Sequence, residues 1–306
     1  MTSFAVAVDL AHNILARSDH RGRAGLTMNL PAESRTIVAF ALGGTPADEN
    51  SPQHVSETAL DEILSLARRR ASGVPICRIV GFEDFLSSSY EVASGVIVPH
   101  PASELLVLIA ADEIRERSRP RAIEVGHGVG QVAIELARLL PSVSITASEV
   151  SPIAQEVARR NANRILGERR EQVEFVLARE HADVLSPFIG VPPVDIIVSN
   201  PPRLSADDSV SDEIRLDTDD EALYGPGGAA DHFYRVFAEQ GKRLLTENGA
   251  VVVEFSKSRD WQIAHFEKNG WEVEIWDRET RSARDADALL RPMTPTGHRV
   301  LVARPI

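Results

Sequence analysis

Val194-Asp195-Ile196-Ile197-Val198-Ser199-Asn200-Pro201-Pro202-Arg203 joins an apolar, β-branched run to a rigid polar turn. The run predicts a buried strand. Its two prolines fix φ and remove two N–H donors. The carbonyls of Asn200 and Pro201 and the carboxamide of Asn200 are therefore left to bind something else, an arrangement suited to gripping an N–H group. About 75 residues upstream, Arg121 to Val125 predicts a second strand, ending in Gly126-His127-Gly128-Val129-Gly130. That turn runs into the apolar-periodic stretch Val132 to Leu140, giving strand, glycine turn and helix.

From Ser103 onward strands and helices alternate, the pattern of a parallel, doubly wound α/β sheet with its ligand at the carboxyl ends of the strands. Strands are expected at Ala122–Val125, Ser144–Ser148, Val173–Leu177, Asp195–Ser199, Ala250–Phe255, Glu272–Trp276 and Arg299–Ala303. Helices are expected near Ser103–Arg117, Val129–Leu140, Pro152–Ile165, Asp231–Leu245 and Arg259–Asn269. Three helical pieces near Ala5–Ala16, Ala32–Leu42 and Glu57–Arg70 precede them. Short extended runs at Ile76–Ile79 and Val96–Val98, with Gly81 and Gly95 as turn signals, predict a connecting β-hairpin. The expected division is a helical domain over 1–73, a hairpin linker over 74–102 and a Rossmann-like domain over 103–306.

With 306 residues and 43% apolar content, the chain can bury a substantial core. A net charge of −12 argues against a nucleic-acid footprint. Arg68–Arg70 reads as cations closing a helix. The single cysteine, Cys77, excludes an internal disulfide and fits a cytoplasmic location. The N-terminal stretch has no basic leader, and Leu105–Ala111, the most apolar later run, is far too short to span a bilayer. No membrane association is expected. The histidines show no metal-ligand spacing and no Gly-x-Ser-x-Gly elbow occurs, so neither a metal nor a hydrolase triad is expected.

Gly126, Gly128 and Gly130 let backbone approach a ligand at a helix N-terminus. Gln131 stands where a pyrophosphate-binding fingerprint would have its last glycine, so the turn favours a nucleoside carrying an amino acid, as in S-adenosylmethionine. Glu124, just before the turn, is placed to hold the ligand's ammonium. Glu149 and Val150 end the next strand, where a carboxylate can accept from both ribose hydroxyls. His127 is expected to shape the pocket rather than act as a base. Asp207 to Glu221 carries eight carboxylates against one arginine, the composition of a solvated segment.

The chain resembles the release-factor glutamine methyltransferases, over roughly residues 57–306. The resemblance is carried by Asn200-Pro201-Pro202, by the glycine turn, by Arg69-Arg70-Ala71-Ser72-Gly73-Val74-Pro75, and by Leu223 to Arg235 with its glycines and Tyr234-Arg235. Val96-Ile97-Val98-Pro99-His100-Pro101-Ala102-Ser103-Glu104 is similar to the family's Ile-Pro-Arg-Pro-Glu-Thr-Glu run. The family implies a class I methyltransferase sheet of seven strands, S-adenosylmethionine as cofactor, and methylation of a glutamine amide nitrogen.

Five positions depart from the family pattern, one of them mildly, Glu124 standing for the usual aspartate of the first motif. Arg203 replaces the tyrosine that packs on the acceptor amide, His100 replaces an arginine, and Ala102 replaces a glutamate. Arg179 stands where an acid is expected near the adenine, with Glu180 or Asp183 as stand-ins. Arg203 suits a substrate carboxylate or phosphate. The leading expectation is thus methyl transfer to nitrogen or oxygen of a small, carboxylate-bearing metabolite. Asn200, Pro201, Pro202 and Arg203 would then form the acceptor site, and Asn200 would also border the cofactor. The alternatives are retained glutamine methylation of a protein acceptor, read out on a Gly-Gly-Gln loop, and a non-catalytic protein of the same fold. The sequence leaves the oligomeric state open.

Overall fold

The computed structural model describes residues 2–18, 29–44, 54–205, 207–208, 210, 218–256, 260–277 and 298–306. One compact unit ends at Phe82 and another begins at Glu83.

The first unit packs α1 (Phe4–Ala16), α2 (Leu30–Ala41), α3 (Glu57–Ala71) and the short α4 (Ile76–Val80), with β1 (Thr2–Ser3) pairing antiparallel to β2 (His54–Val55). Ser3, Asn29 and Ser56 cap the three long helices, each accepting a backbone N–H three residues on. Ala7, Ala11 and Leu15 lie at helical spacing on the buried face of α1 and meet Ile37, Ile63, Leu66 and Ile79. Of the arginines closing α3, Arg68 and Arg69 are exposed. Arg70 is buried and grips both carboxylate oxygens of Glu33, at 2.7 and 3.3 Å.

The extended run expected at Ile76–Ile79 is helical instead. Its β-branched residues follow Pro75, whose fixed φ suits a helix entry. A five-residue segment, interrupted by Arg78, carries no periodicity that separates helix from strand. Val96–Val98 likewise forms no strand, and Gly95 makes only an isolated bridge to Thr218. The hairpin is built between these runs, from β3 (Phe82–Phe85) and β4 (Ser88–Glu91) around Leu86 at φ +49°.

The second unit carries a seven-stranded sheet in the order β10-β11-β9-β8-β5-β6-β7. Its strands are β5 (Arg121–Val125), β6 (Ser144–Glu149), β7 (Val173–Leu177), β8 (Val194–Ser199), β9 (Leu245–Ser256), β10 (Trp271–Trp276) and β11 (His298–Pro305). β5 to β9 run parallel, and β11 lies antiparallel between β9 and β10. β9 starts five residues earlier than expected, because the preceding helix gives way to a 3₁₀ turn at Gly241–Leu244.

Helices α5 (Ser103–Ile114), α6 (Gln131–Leu139) and α7 (Pro152–Leu166) pack through one core and, after the short α8 (Asp220–Leu223), α9 (His232–Gln240) with α10 (Asp260–Lys268) through another. Alternation along β9 sends Ala250 and Val252 to the first core and Val251, Val253 and Phe255 to the second. Both faces are covered, as parallel strands require. The hairpin is tied to the first layer. Tyr90 donates to Glu135 of α6 at 2.8 Å, and Arg138 closes on the same carboxylate. Buried Asn161 of α7 accepts from Glu91 N–H at 2.8 Å and donates to the Glu91 and Val129 carbonyls.

Candidate active site

The chain leaves β5 toward β6 on one side and β8 toward β9 on the other, so the switch point lies between β5 and β8. Ligands of open α/β sheets bind there, at the carboxyl ends of the strands. The glycine turn follows β5 and Asn200 follows β8. Ser199 joins these two strand ends, its hydroxyl donating to the Val125 carbonyl at 2.7 Å. A solvent-open cleft occupies this position, lined among others by Gly126, Gly128, Glu149, Val150, Asn200 and Pro202.

All three glycines of the turn take positive φ, at +74°, +53° and +87°. A Cβ on Gly130 would stand 3.1 Å from Ala158 Cβ and Ile134 Cδ1. Gly130 therefore permits close packing of α6 on α7, while Gly126 and Gly128 border the cleft. Glu149 organises the turn from β6. One carboxylate oxygen accepts from Gly128 N–H at 2.9 Å, and the other accepts from Val150 and Ser151 N–H.

Glu124 departs from expectation. It shares the α6 face of β5 with Ala122, is fully buried, and accepts the backbone N–H of Ala133 at 2.9 Å. It lies off the cleft and serves the helix start rather than a ligand ammonium. Burial, partly offset by that hydrogen bond, pushes its pKa up to about 8. His127 is also buried off the cleft, edge-on to Phe175 with centroids 4.8 Å apart. Nδ1 faces the Gly128 carbonyl at 2.9 Å, and burial lowers its pKa. Burial thus favours the neutral imidazole.

Beyond β7, exposed Arg179 does not reach the cleft, whereas Glu180, His181 and Asp183 line it. Successive loop residues diverge in direction, and the acids that follow the arginine line the cleft. His181 Nε2 is buried with no hydrogen-bond partner, beside Phe233 at 5.4 Å. Sequence reading missed this histidine and the returning end of the acidic segment. Residues 211–217 of that segment lie outside the described residues. Asp219 and Glu221, which enter and form the short α8 (Asp220–Leu223), line the cleft rather than simply facing solvent. Asp219 N–H donates to the Gly95 carbonyl at 3.0 Å. Its carboxylate lies 2.8 Å from where a Gly95 Cβ would stand, so only glycine fits beneath it.

Pro201 is buried, and Arg203, off the cleft, does not await a substrate carboxylate. Its guanidinium donates to Glu254 at 2.9 Å and to Asn200 Oδ1 at 2.5 Å. Glu254 is 1% exposed. Ser103, at the start of α5, completes the group. It donates to the other Glu254 oxygen at 2.6 Å and accepts from Asn200 Nδ2 at 2.9 Å. The charge of Arg203 is thus matched by a buried carboxylate. A signal for Glu254 existed in the sequence, as a lone acid in the apolar run Ala250–Phe255.

No group of three or more metal-ligating side chains occurs among the described residues. Nor is any described helix long and apolar enough to cross a membrane.

The methyltransferase small domain model matches residues 100–216. The release factor glutamine methyltransferase of Rhodopirellula baltica is 31% identical over 216 residues, covering 67% of this chain and 68% of that one. The protein of the same name from Deinococcus radiodurans is 32% identical over 210 residues, covering 68% and 71%. Among solved structures, the hMettl16 catalytic domain in complex with an RNA hairpin superposes with a TM-score of 0.51 at 14% identity, over 78% of this chain and 80% of that one. That likeness concerns the fold.

Proposed function

The chain belongs to the release factor glutamine methyltransferase family, and from that premise we propose that it methylates the side-chain amide nitrogen of a glutamine in a peptide-chain release factor, using S-adenosylmethionine. One observation carries the reading: the carboxamide of Asn200 borders the same cleft as the glycine turn. The pairing of Arg203 with Glu254 removes the reason to prefer a carboxylate-bearing metabolite.

The residues present fit the cofactor. Gly126 leaves open space and Gly128 borders the same cleft without a side chain to crowd a ligand, and Glu149 stands at the end of β6, where a ribose is gripped in such folds. When bound, S-adenosylmethionine supplies an electrophilic methyl on a sulfonium. The protein's task is then to hold the acceptor nitrogen in line at about 3–3.5 Å and exclude water. Asn200 orients the amide. Pro201 and Pro202 keep that grip rigid, because neither has a free φ. Incubation with labelled cofactor and a release factor, followed by peptide mass spectrometry, tests the reading. A methyl on the glutamine is expected, and no transfer to any glutamine of the factor would sink it.

The cleft's charge yields a separate expectation. Glu149, Glu180, Asp183, Asp219 and Glu221 line it, and no lysine or arginine does among the described residues. Transfer removes the sulfonium charge, so an acidic wall favours cofactor over spent product. The double variant Asp219→Asn, Glu221→Gln is expected to weaken S-adenosylmethionine binding about three- to tenfold, in a salt-dependent manner. Binding of S-adenosylhomocysteine should stay within about twofold. Calorimetric titration of both ligands decides, and equal loss for both would make these side chains a steric roof instead.

A further inference from the structure

Asn200, Ser103, Glu254 and Arg203 form a closed ring of four hydrogen bonds, and we infer that this ring makes the site selective for a carboxamide over a carboxylate. The inference rests on the glutamine reading above and assigns positioning roles to Ser103, Glu254 and Arg203.

The direction of every bond in the ring is forced. The Glu254 carboxylate, ion-paired with Arg203, only accepts, so the single hydroxyl proton of Ser103 goes to it. Ser103 can then offer Asn200 only lone pairs, and the Asn200 amide must point its NH₂ there. The guanidinium of Arg203 only donates, so Asn200 Oδ1 must face it. Turning the amide over would set donor against donor at Arg203 and acceptor against acceptor at Ser103. Which end of Asn200 is oxygen is thereby fixed by chemistry, where an isolated amide would be free to flip.

The ring uses one of two N–H groups and one of two Oδ1 lone pairs of Asn200, leaving one of each. An incoming carboxamide complements both, its carbonyl accepting from Nδ2 and its N–H donating to Oδ1. A carboxylate offers lone pairs only and opposes Oδ1. Arg203 thus substitutes for an aromatic face by fixing the amide that grips the acceptor. Glu254 offsets the guanidinium charge that would otherwise oppose positive charge on the attacking nitrogen.

The test compares the unaltered full chain with Ser103→Ala, Ser103→Thr and Arg203→Lys, using a release factor and its glutamine-to-glutamate form as competitor. Ser103→Ala is expected to lower kcat/KM at least tenfold and to narrow the preference for glutamine over glutamate at least fivefold, with cofactor affinity unchanged and the melting temperature lowered only by the lost buried hydrogen bonds. Ser103→Thr, which keeps the hydroxyl, should recover to within threefold. Arg203→Lys, which keeps the charge but loses the fork, should resemble Ser103→Ala. Unaltered kcat/KM and preference in both Ser103→Ala and Arg203→Lys would overturn the inference alone. So would losses matched by equal losses of cofactor affinity. No transfer by the unaltered protein would overturn the glutamine reading and, with it, the inference.

Discussion

Replacing Asn200 with alanine is expected to lower kcat/KM for the release factor by about a hundred- to a thousandfold, the scale seen when a preorganised polar contact to a reacting group is removed. Affinity for S-adenosylmethionine should stay within about twofold, because the turn at Gly126–Gly130 is held by Glu149 and the Ser148 carbonyl rather than by Asn200. The loss has two parts. The acceptor amide loses its orienting partner, and Arg203 and Ser103 each lose a hydrogen bond. Asn200→Asp separates them. Aspartate still accepts from Arg203 but cannot donate to Ser103 or to the acceptor carbonyl, so it should be nearly as inactive as alanine. Single-turnover rates with cofactor bound beforehand provide the measurement. Substantial transfer by either variant would remove Asn200 from the acceptor site.

The second large effect concerns pH. In the folded chain Glu124 holds its proton to about pH 8, against an ordinary value of 4.5. Between those values the folded state binds more protons than the unfolded state, so stability falls as pH rises through this window. The contribution is fully present below pH 4.5 and lost by pH 8 and above. A gap of that size corresponds to a few kcal/mol. Glu124→Gln keeps an oxygen for the Ala133 N–H and removes the titration. Denaturation curves between pH 5 and pH 9 should therefore show the glutamine variant gaining on the unaltered protein by roughly that amount. Parallel curves would mean that the carboxyl is hydrated, with its proton affinity close to ordinary.

Much of this architecture is legible in the sequence because parallel strands buried on both faces read as apolar runs, as at Val194–Ser199 and Ala250–Phe255. The glycine turn and Asn200-Pro201-Pro202 are legible because backbone constraints are written locally. What escapes reading is direction and long-range pairing. Glu124 precedes the turn by two positions, but strand alternation with Ile123 and Val125 turns it under α6. Arg179 and Glu180 are neighbours in a loop, and sequence alone does not say which faces inward. Arg203 looks like a cation awaiting a substrate, because Glu254 is 51 positions away in another strand. The position of the hairpin escapes reading for a different reason. Ile76–Ile79 and Val96–Val98 are the more β-branched segments, whereas Phe82–Glu91 pairs through residues that Asn161 and Glu135 hold from α7 and α6.

Asn161 treats the backbone of Glu91 as a neighbouring strand would, taking its N–H and returning an N–H to its carbonyl, and spends its remaining donor on Val129 within the cofactor turn. The turn therefore arrives at a binding event already ordered. Conformational entropy that a loose glycine loop would lose on meeting a ligand has been surrendered during folding. Cofactor affinity is then governed by the contacts the cleft offers, and loop ordering adds little resistance to either entry or departure.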